Sequence, residues 1–392
     1  MIPLPFSKDE FRDRLKRLRA DMAERDLELL VVTDVANQHY LTAFDSWSFY
    51  TPQVVLVPIE EEEPYWIGRA MDAAGGKLTA WMESGHVLGW PEIYVQQTDR
   101  HPMDWIAGWI RDKGWGRRRI GVETEAYYYS AKAHERLSEG LPDARLLDGN
   151  LLVNWLRAKK SPAEIDYMRK AARIAEATMR AAYDAIAPGV RECDAIARIY
   201  AAQTASQPDY AGDITSLPPT ILGGANASAP HVLWSDRRFG KDETVALELA
   251  GACRHYTAGL ARTMQLGKPT QQLLDTAKAV LEGMHEVVAF TRPGVTGAEV
   301  EAAWRAVIAR YGLEKESRIG YAIGIGYPPD WGEHTISLRA GDRSVLEPGN
   351  TVHCILGLWM ADWGIEVSET ILVTETGCEC LTDFPRDVYM KS

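Results

Sequence analysis

Cysteine is scarce in this chain. The five residues, Cys193, Cys253, Cys354, Cys378 and Cys380, are odd in number and scattered, which excludes a disulfide framework and fits reduced thiols in a cytoplasm. The "CEC" run at 378–380 has no second cysteine pair at zinc-finger spacing, so a surface turn is expected there rather than a metal knot. No apolar run is long enough to span a bilayer, so no membrane partner is expected. The N-terminal residues lack the basic-then-apolar pattern of a secretory leader, and a cytoplasmic location is expected. Positive charge is also in short supply: 43 Lys and Arg stand against 55 Asp and Glu, a net charge of −12. A nucleic acid is therefore excluded as the main partner, because its phosphates would meet an acidic surface.

What remains is ordinary globular composition, 46% hydrophobic and 25% charged, over a length of 392 residues that suits two or three domains. The first segment alternates helix and strand. "KDEFRDRLKRLRADMAERD" carries Phe11, Leu15, Leu18 and Met22 at helical spacing, and "LELLVVTD" follows as a buried strand. "QVVLVPIE" and "EPYWIG" form a strand pair around an acidic turn, and "RRRIGVETEAYYYSAKAHERLSEGL" repeats strand then helix. This predicts an α/β domain over 1–150. A second domain, 151–392, begins with Ser161, Pro162 and Glu164, which are an N-cap, a proline at the first helical position and a capping-box acid. It contains a weak internal repeat. Pro188-Gly189-Val190 and Pro293-Gly294-Val295 each separate two helical stretches that lead into strands, which suggests a duplicated α+β unit.

One stretch of the second domain stands out. "ALELAGACRHYTAGLARTMQLG" carries a single carboxylate, Glu248, in an apolar and small-residue run that ends in Arg262 and Thr263. Burying an unpaired acid is costly, so Glu248 is expected to be functional, the plain alternative being a salt bridge to Arg262. His231 follows "ASAP" in a loop-like segment, and histidine is the residue type suited to shuttling a proton near neutral pH. His334 and His353 have no comparable support and are expected to be structural, and so is Arg262.

Four stretches in order, "GGANASAPHVLWSDRR", the Glu248 stretch, "GYAIGIGYPPDWGEHTISLRAGD" and "LEPGNTVHCILGLWMADWGIEVSETILVTETG", resemble the catalytic domain of the pita-bread family of creatinase, prolidase, aminopeptidase P and methionine aminopeptidase. The first domain resembles the creatinase-type N-terminal domain more loosely. The implied fold is an α/β N-terminal domain followed by a curved antiparallel sheet wrapped by duplicated helices. Peptidases of the family hold two metal ions with two Asp, one His and two Glu. Those positions fall on Glu248, Gly259, Tyr321, Ile355 and Ser368, with Glu369 beside the last. Gly, Ile and a neutral phenol cannot replace such ligands, so neither a metal nor any other cofactor is expected.

The stretches "SWSFYTPQ", "ASAPH", "YPPDWGE" and "GLW" are similar in order and spacing to the ectoine hydrolases of this family. That resemblance implies metal-free hydrolysis of a small zwitterion, the cyclic amidine ectoine or 5-hydroxyectoine. Glu248 would be nucleophile or binding anion, and His231 would be the proton shuttle. Glu366 or Glu369 would be the second acid of a cationic clamp; period 2 along the strand favours Glu366, which shares a face with Ser368. Trp47, Phe49, Tyr50, Trp331 and Trp359 could cage the cation, Tyr321 could touch substrate from the vacated ligand position, and Trp47 and Tyr50 could equally be packing residues. The resemblance further implies a homodimer in which "SWSFY" of one subunit closes the other's site. Three alternatives stand beside this reading: an amidinohydrolase for creatine or another small zwitterion, an inactive binding module, and an Xaa-Pro metallopeptidase, which the missing ligands disfavour.

Overall fold

A computed structural model describes residues 2–205 and 207–392 of the chain. The chain divides into two compact units, Met1–Arg157 and Ala158–Ser392.

The first unit opens with α1 (Lys8–Glu24), capped by the Ser7 side chain, and Phe11, Leu15, Leu18 and Met22 on one stripe are fully buried. Then come β1 (Leu29–Val32), α2 (Val35–Thr42), β2 (Val54–Pro58), β3 (Tyr65–Arg69), α3 (Ala73–Thr79), β4 (Val87–Trp90), α4 (Pro102–Asp112), β5 (Arg119–Val122), α5 (Ala131–Gly140), β6 (Arg145–Asp148) and α6 (Leu152–Ala158). The sheet order is β4-β3-β2-β1-β5-β6. β2 runs antiparallel to β1 and β3, while β3–β4, β1–β5 and β5–β6 are parallel, as α/β crossovers require. Glu123, buried after β5, accepts from the Thr33 and Asp34 amides and from Asn37 Nδ2, which ties the ends of β1 and β5 together.

The second unit is built twice over. α7 (Pro162–Ala185) starts as its sequence predicts: the Ser161 side chain accepts from the Glu164 amide and the Glu164 carboxylate accepts from the Ser161 amide. α8 (Glu192–Ala205), β7 (Thr220–Gly223), β8 (Thr244–Cys253) and β9 (Tyr256–Leu266) complete the first half. The second half has α9 (Gln271–Phe290), α10 (Gly297–Ala309), β10 (Gly320–Tyr327), β11 (Asp330–Ser337), β12 (Thr351–Trp359) and β13 (Gly364–Val373). β14 (Cys378–Cys380) adds to β13 as a short strand; the turn expected for "CEC" is instead a sheet edge, paired through Ile371 and Val373. β15 (Tyr389–Lys391) runs parallel to β9.

The two Pro-Gly-Val stretches adopt the same geometry. Gly189 and Gly294 have φ of +84° and +89°, the left-handed region that costs any residue with a Cβ. The Gly189 amide donates to the Phe239 carbonyl at 2.8 Å and the Phe239 amide returns to Val190 at 2.9 Å; the Gly294 amide donates to Leu346 at 2.9 Å and the Leu346 amide returns to Val295 at 2.8 Å. The helices of each half cover its own part of the sheet. Met179, Ile196 and Ile199 pack on Leu247, Leu249 and Leu260, whereas Val280, Met284 and Trp304 pack on Val352, Leu356 and Val367. The combined sheet order is β14-β13-β12-β10-β9-β8-β7. Its curl brings β9 against β13, where Thr263 and Glu366 exchange hydrogen bonds of 2.8 and 3.0 Å and Thr370 Oγ1 donates to the Gly259 carbonyl at 2.9 Å.

Candidate active site

Strands β9, β12 and β13 carry a group of buried polar side chains, among them Arg262, His353, Glu366, Ser368 and Glu369. Alternation along β13 sends Glu366 and Ser368 to one face and Glu369 to the other. Glu369 is spent there: its carboxylate accepts from Arg262 Nη2 at 2.7 Å, Arg386 Nε at 2.8 Å and Thr382 Oγ1 at 2.6 Å. Arg262 is fully buried and also donates to the carbonyls of Ser368, Phe384 and Pro385. Glu369 therefore leaves the substrate-binding set, and Arg262 is a structural cation that does not pair with Glu248.

Glu366 is 2% exposed, and its Oε2 has no hydrogen-bond partner among the described residues. Its carboxyl is held well above the usual carboxylate range by burial and by the nearby charge of Glu248, with Lys315 opposing. Glu248, on β8 and partly exposed, is raised to about 7 by desolvation. The two carboxyls, one from each half, thus feel each other's charge, and their repulsion disfavours ionising both at once. Lys315 is buried behind them, its Nζ donating to the Gly357 carbonyl at 2.6 Å and lying 4.0 Å from the Trp359 ring centre. Desolvation lowers it to about 8 against the pull of Glu366.

The positions that carry metal in the resembling peptidases are filled differently. The His353 ring lies where a side chain on Gly259 would project, 2.9 Å from the place of a Cβ. His353 Nε2 is 2.8 Å from Ser368 Oγ, which accepts from the Ala261 amide at 2.6 Å. His353 Nδ1 is 3.3 Å from the Tyr321 hydroxyl, which accepts from Trp331 Nε1 at 2.8 Å. Full burial pushes the imidazole down to about 3, so it is neutral at physiological pH. Burial and Glu248 push Tyr321 above the ordinary phenol range. A glycine, a serine already engaged, a phenol and the aliphatic Ile355 do not supply the oxygen- and nitrogen-rich donor set of a two-metal centre.

The remaining sequence-predicted residues are spread more widely. Trp331 is buried beside His353, with ring centres 5.8 Å apart, and Trp359 covers Lys315. His231 lies on an exposed turn after the short helical segment Gly224–Ser228, and that segment packs against Gly364 at the start of β13. Trp47 and Tyr50 belong to the first unit; Trp47 packs on Phe49 and Tyr128, while Phe49 and Tyr50 are 67% and 65% exposed. Lys315 and Arg318 escaped the sequence reading, and His353 was read there only as structural. His353 is signalled by a volume exchange, a glycine at a ligand position and a ring on a nearby strand. Lys315 and Arg318 sit in the charged run "EKESR", which looks like a solvated loop; yet Lys315 is buried, and Arg318 lies 4.4 Å over the Tyr321 ring.

The chain belongs to metallopeptidase family M24, whose model matches residues 166–375, and the creatinase/prolidase N-terminal domain matches residues 14–159. It is 42% identical to the ectoine hydrolase of Halomonas elongata over 397 aligned positions, covering 100% of this chain and 99% of that one. An uncharacterized hydrolase/peptidase of Sinorhizobium fredii is 41% identical, with 99% of each chain covered. Among solved structures, a prolidase from Thermococcus sibiricus superposes with a TM-score of 0.84 at 19% identity, over 98% of this chain and 100% of that one. A Bacillus anthracis Xaa-Pro dipeptidase gives 0.79 at 22%, over 97% and 99%. These two show the fold alone: a creatinase-type α/β domain joined to a pita-bread domain.

Proposed function

We propose that this hydrolase opens the cyclic amidine C–N bond of ectoine without a metal, giving N-acetyl-2,4-diaminobutyrate, with 5-hydroxyectoine as the related ring to be tested beside it. The full-length likeness to an ectoine hydrolase supports the substrate. The observation that carries the reading is the buried Glu366 carboxyl, whose Oε2 meets no hydrogen-bond donor among the described residues and which feels the charge of Glu248, a pair suited to a cation. An amidinium supplies that cation and two N–H donors for charge-assisted hydrogen bonds. Trp331 and Tyr321 wall the ring, Trp359 backs the clamp, and Arg318 is the cation available to the substrate carboxylate.

In this reading Glu248 directs a water to the amidine carbon, or attacks that carbon itself. In the second case the water later cleaves the Glu248–carbon bond, leaves its oxygen on the acetyl carbon and frees the carboxylate. The C–N bond breaks, and the leaving ring nitrogen takes a proton from His231, which water replenishes. Net addition of one water leaves the acetyl group on one nitrogen and frees the other as an amine. Trp47 and Tyr50 serve as the wall given by a second subunit of a homodimer. The test is incubation of chelator-treated protein with ectoine, 5-hydroxyectoine and creatine, followed by mass spectrometry. Ectoine turnover without added metal is expected. Absence of turnover removes the substrate assignment, and turnover that depends on Mn²⁺ or Zn²⁺ removes the metal-free mechanism.

A further inference from the structure

The row of hydrogen bonds around His353 has a definite direction. Among the described residues, Ser368 Oγ has two polar neighbours, the Ala261 amide at 2.6 Å and His353 Nε2 at 2.8 Å. The amide can only donate, so the one hydrogen of Ser368 has a single acceptor, His353 Nε2. The opposite arrangement would leave a hydroxyl hydrogen stranded on a residue with no exposed surface, a penalty of about 1–3 kcal/mol. A neutral imidazole that accepts at Nε2 carries its hydrogen on Nδ1, which faces the Tyr321 oxygen at 3.3 Å. Trp331 Nε1, also an obligate donor, meets the same oxygen at 2.8 Å. Both lone pairs of Tyr321 are then engaged, and its own hydrogen has to leave the row. Tyr321 is partly exposed and lies within the field of Glu248, so the hydrogen leaves toward the acid and whatever lies on it.

We propose that His353 is a positioning residue that, with Trp331, aims the Tyr321 hydroxyl into the site, where Tyr321 acts as a catalytic hydrogen-bond donor to the amidinium nitrogen that gains a lone pair when the neighbouring carbon is attacked. This rests on the proposed amidine hydrolysis for its substrate, though not for its geometry. The row occupies the ground a metal pair would need, as the approach of the ring to Gly259 shows, and it does part of a metal's work: it offers a fixed positive dipole that costs no reorganisation at the moment of reaction. The neutral state of His353 and the protonated state of Tyr321 both favour it.

Two measurements test it. In protein labelled with ¹⁵N-histidine, without substrate, one imidazole should show the neutral Nδ1–H tautomer and resist protonation down to pH 5, and its signals should vanish in His353→Asn. An Nε2–H tautomer at that residue overturns the proposal whether or not ectoine is turned over, so its failure is separate from failure of the functional reading. In kinetics, Tyr321→Phe should lower kcat by about 10²-fold with KM within about threefold. His353→Leu should do the same, and His353→Asn, which keeps an N–H near the Nδ1 position, should recover most of the loss. Adding His353→Leu to Tyr321→Phe should cost no more than about twofold further. Fully additive losses overturn the coupling, and should His353→Leu fail to fold, Tyr321→Phe and the tautomer decide.

Discussion

The two halves of the second unit share a scaffold and differ in what they place on it. Each has a helix pair broken at Pro-Gly-Val, a left-handed glycine, the same reciprocal hydrogen bonds and a long antiparallel hairpin, β8–β9 or β12–β13. The first half contributes an acid at Glu248 and nothing at Gly259. The second contributes an acid at Glu366 and a neutral ring, His353, that fills the space over Gly259. Duplication kept the frame because the frame is set by core packing and backbone geometry. The lining diverged because each inward side chain answers only to its neighbours across the curl. Under the proposed reading, such a surface takes a cation-seeking pair of acids in place of metal ions without disturbing a helix.

That contrast can be broken most forcefully at Glu248. Glu248→Gln should lower kcat for ectoine by about 10³-fold or more, since the acid is assigned the bond-making role; near-normal turnover would end that assignment. Next comes pH. Because Glu248 is raised to about 7 by burial, activity should climb as pH rises through that value, and Glu248→Gln should lower the pKa of Glu366, whose charge Glu248 opposes. Stability moves the other way. A carboxyl raised from 4.5 in the unfolded chain to about 7 in the folded one binds more protons when folded, so its contribution weakens as pH climbs between those values. His353, lowered to about 3, costs stability as pH falls below 6.5. Denaturant midpoints across pH 4–8, compared for Glu248→Gln, His353→Asn and the parent, separate the two slopes.

A smaller effect is expected where the halves meet. Gly259→Asp restores an acid in the first half but drives it into the His353 ring, and should destabilise by about 1–3 kcal/mol in urea titration. Adding His353→Ala should return part of that loss, which an independent role for each residue would not allow. The exposed Arg318→Leu change should raise KM for ectoine about tenfold with little change in kcat, if it meets the substrate carboxylate. The smallest changes are Gly189→Ala and Gly294→Ala, each about 1–2 kcal/mol from the left-handed backbone alone, and nearly equal if the two turns are equivalent.

The elements that depend on local chemistry were legible in the sequence. The cap of α7 is written in Ser161, Pro162 and Glu164, and the stripe of α1 in its helical spacing. Period 2 ranked Glu366 above Glu369, and the partners of Glu369 explain why the other face is closed. What stayed hidden depends on the curl. The neighbour of His353 is a glycine on a strand from the other half, and no periodicity along "TVHCILG" points there. Lys315 looked like part of a charged loop because its burial is imposed by Gly357 and Trp359, residues remote in the chain. The shuttle role of His231 came from resemblance, and the residue lies on an exposed turn rather than among the buried groups of the sheet.

The segment from Thr382 to Lys391 has a consequence for biosynthesis. β15 is the last strand of the unit, yet it hydrogen-bonds β9 of the first half, and Arg262 of β9 draws on the carbonyls of Phe384 and Pro385. On a ribosome, β9 emerges long before these partners do. Until they arrive, the first half carries an open strand edge and a guanidinium without its acceptors, the kind of surface that chaperones bind and other chains pair with. The two halves therefore mature together, and a half expressed by itself is expected to seek another chain to finish its sheet.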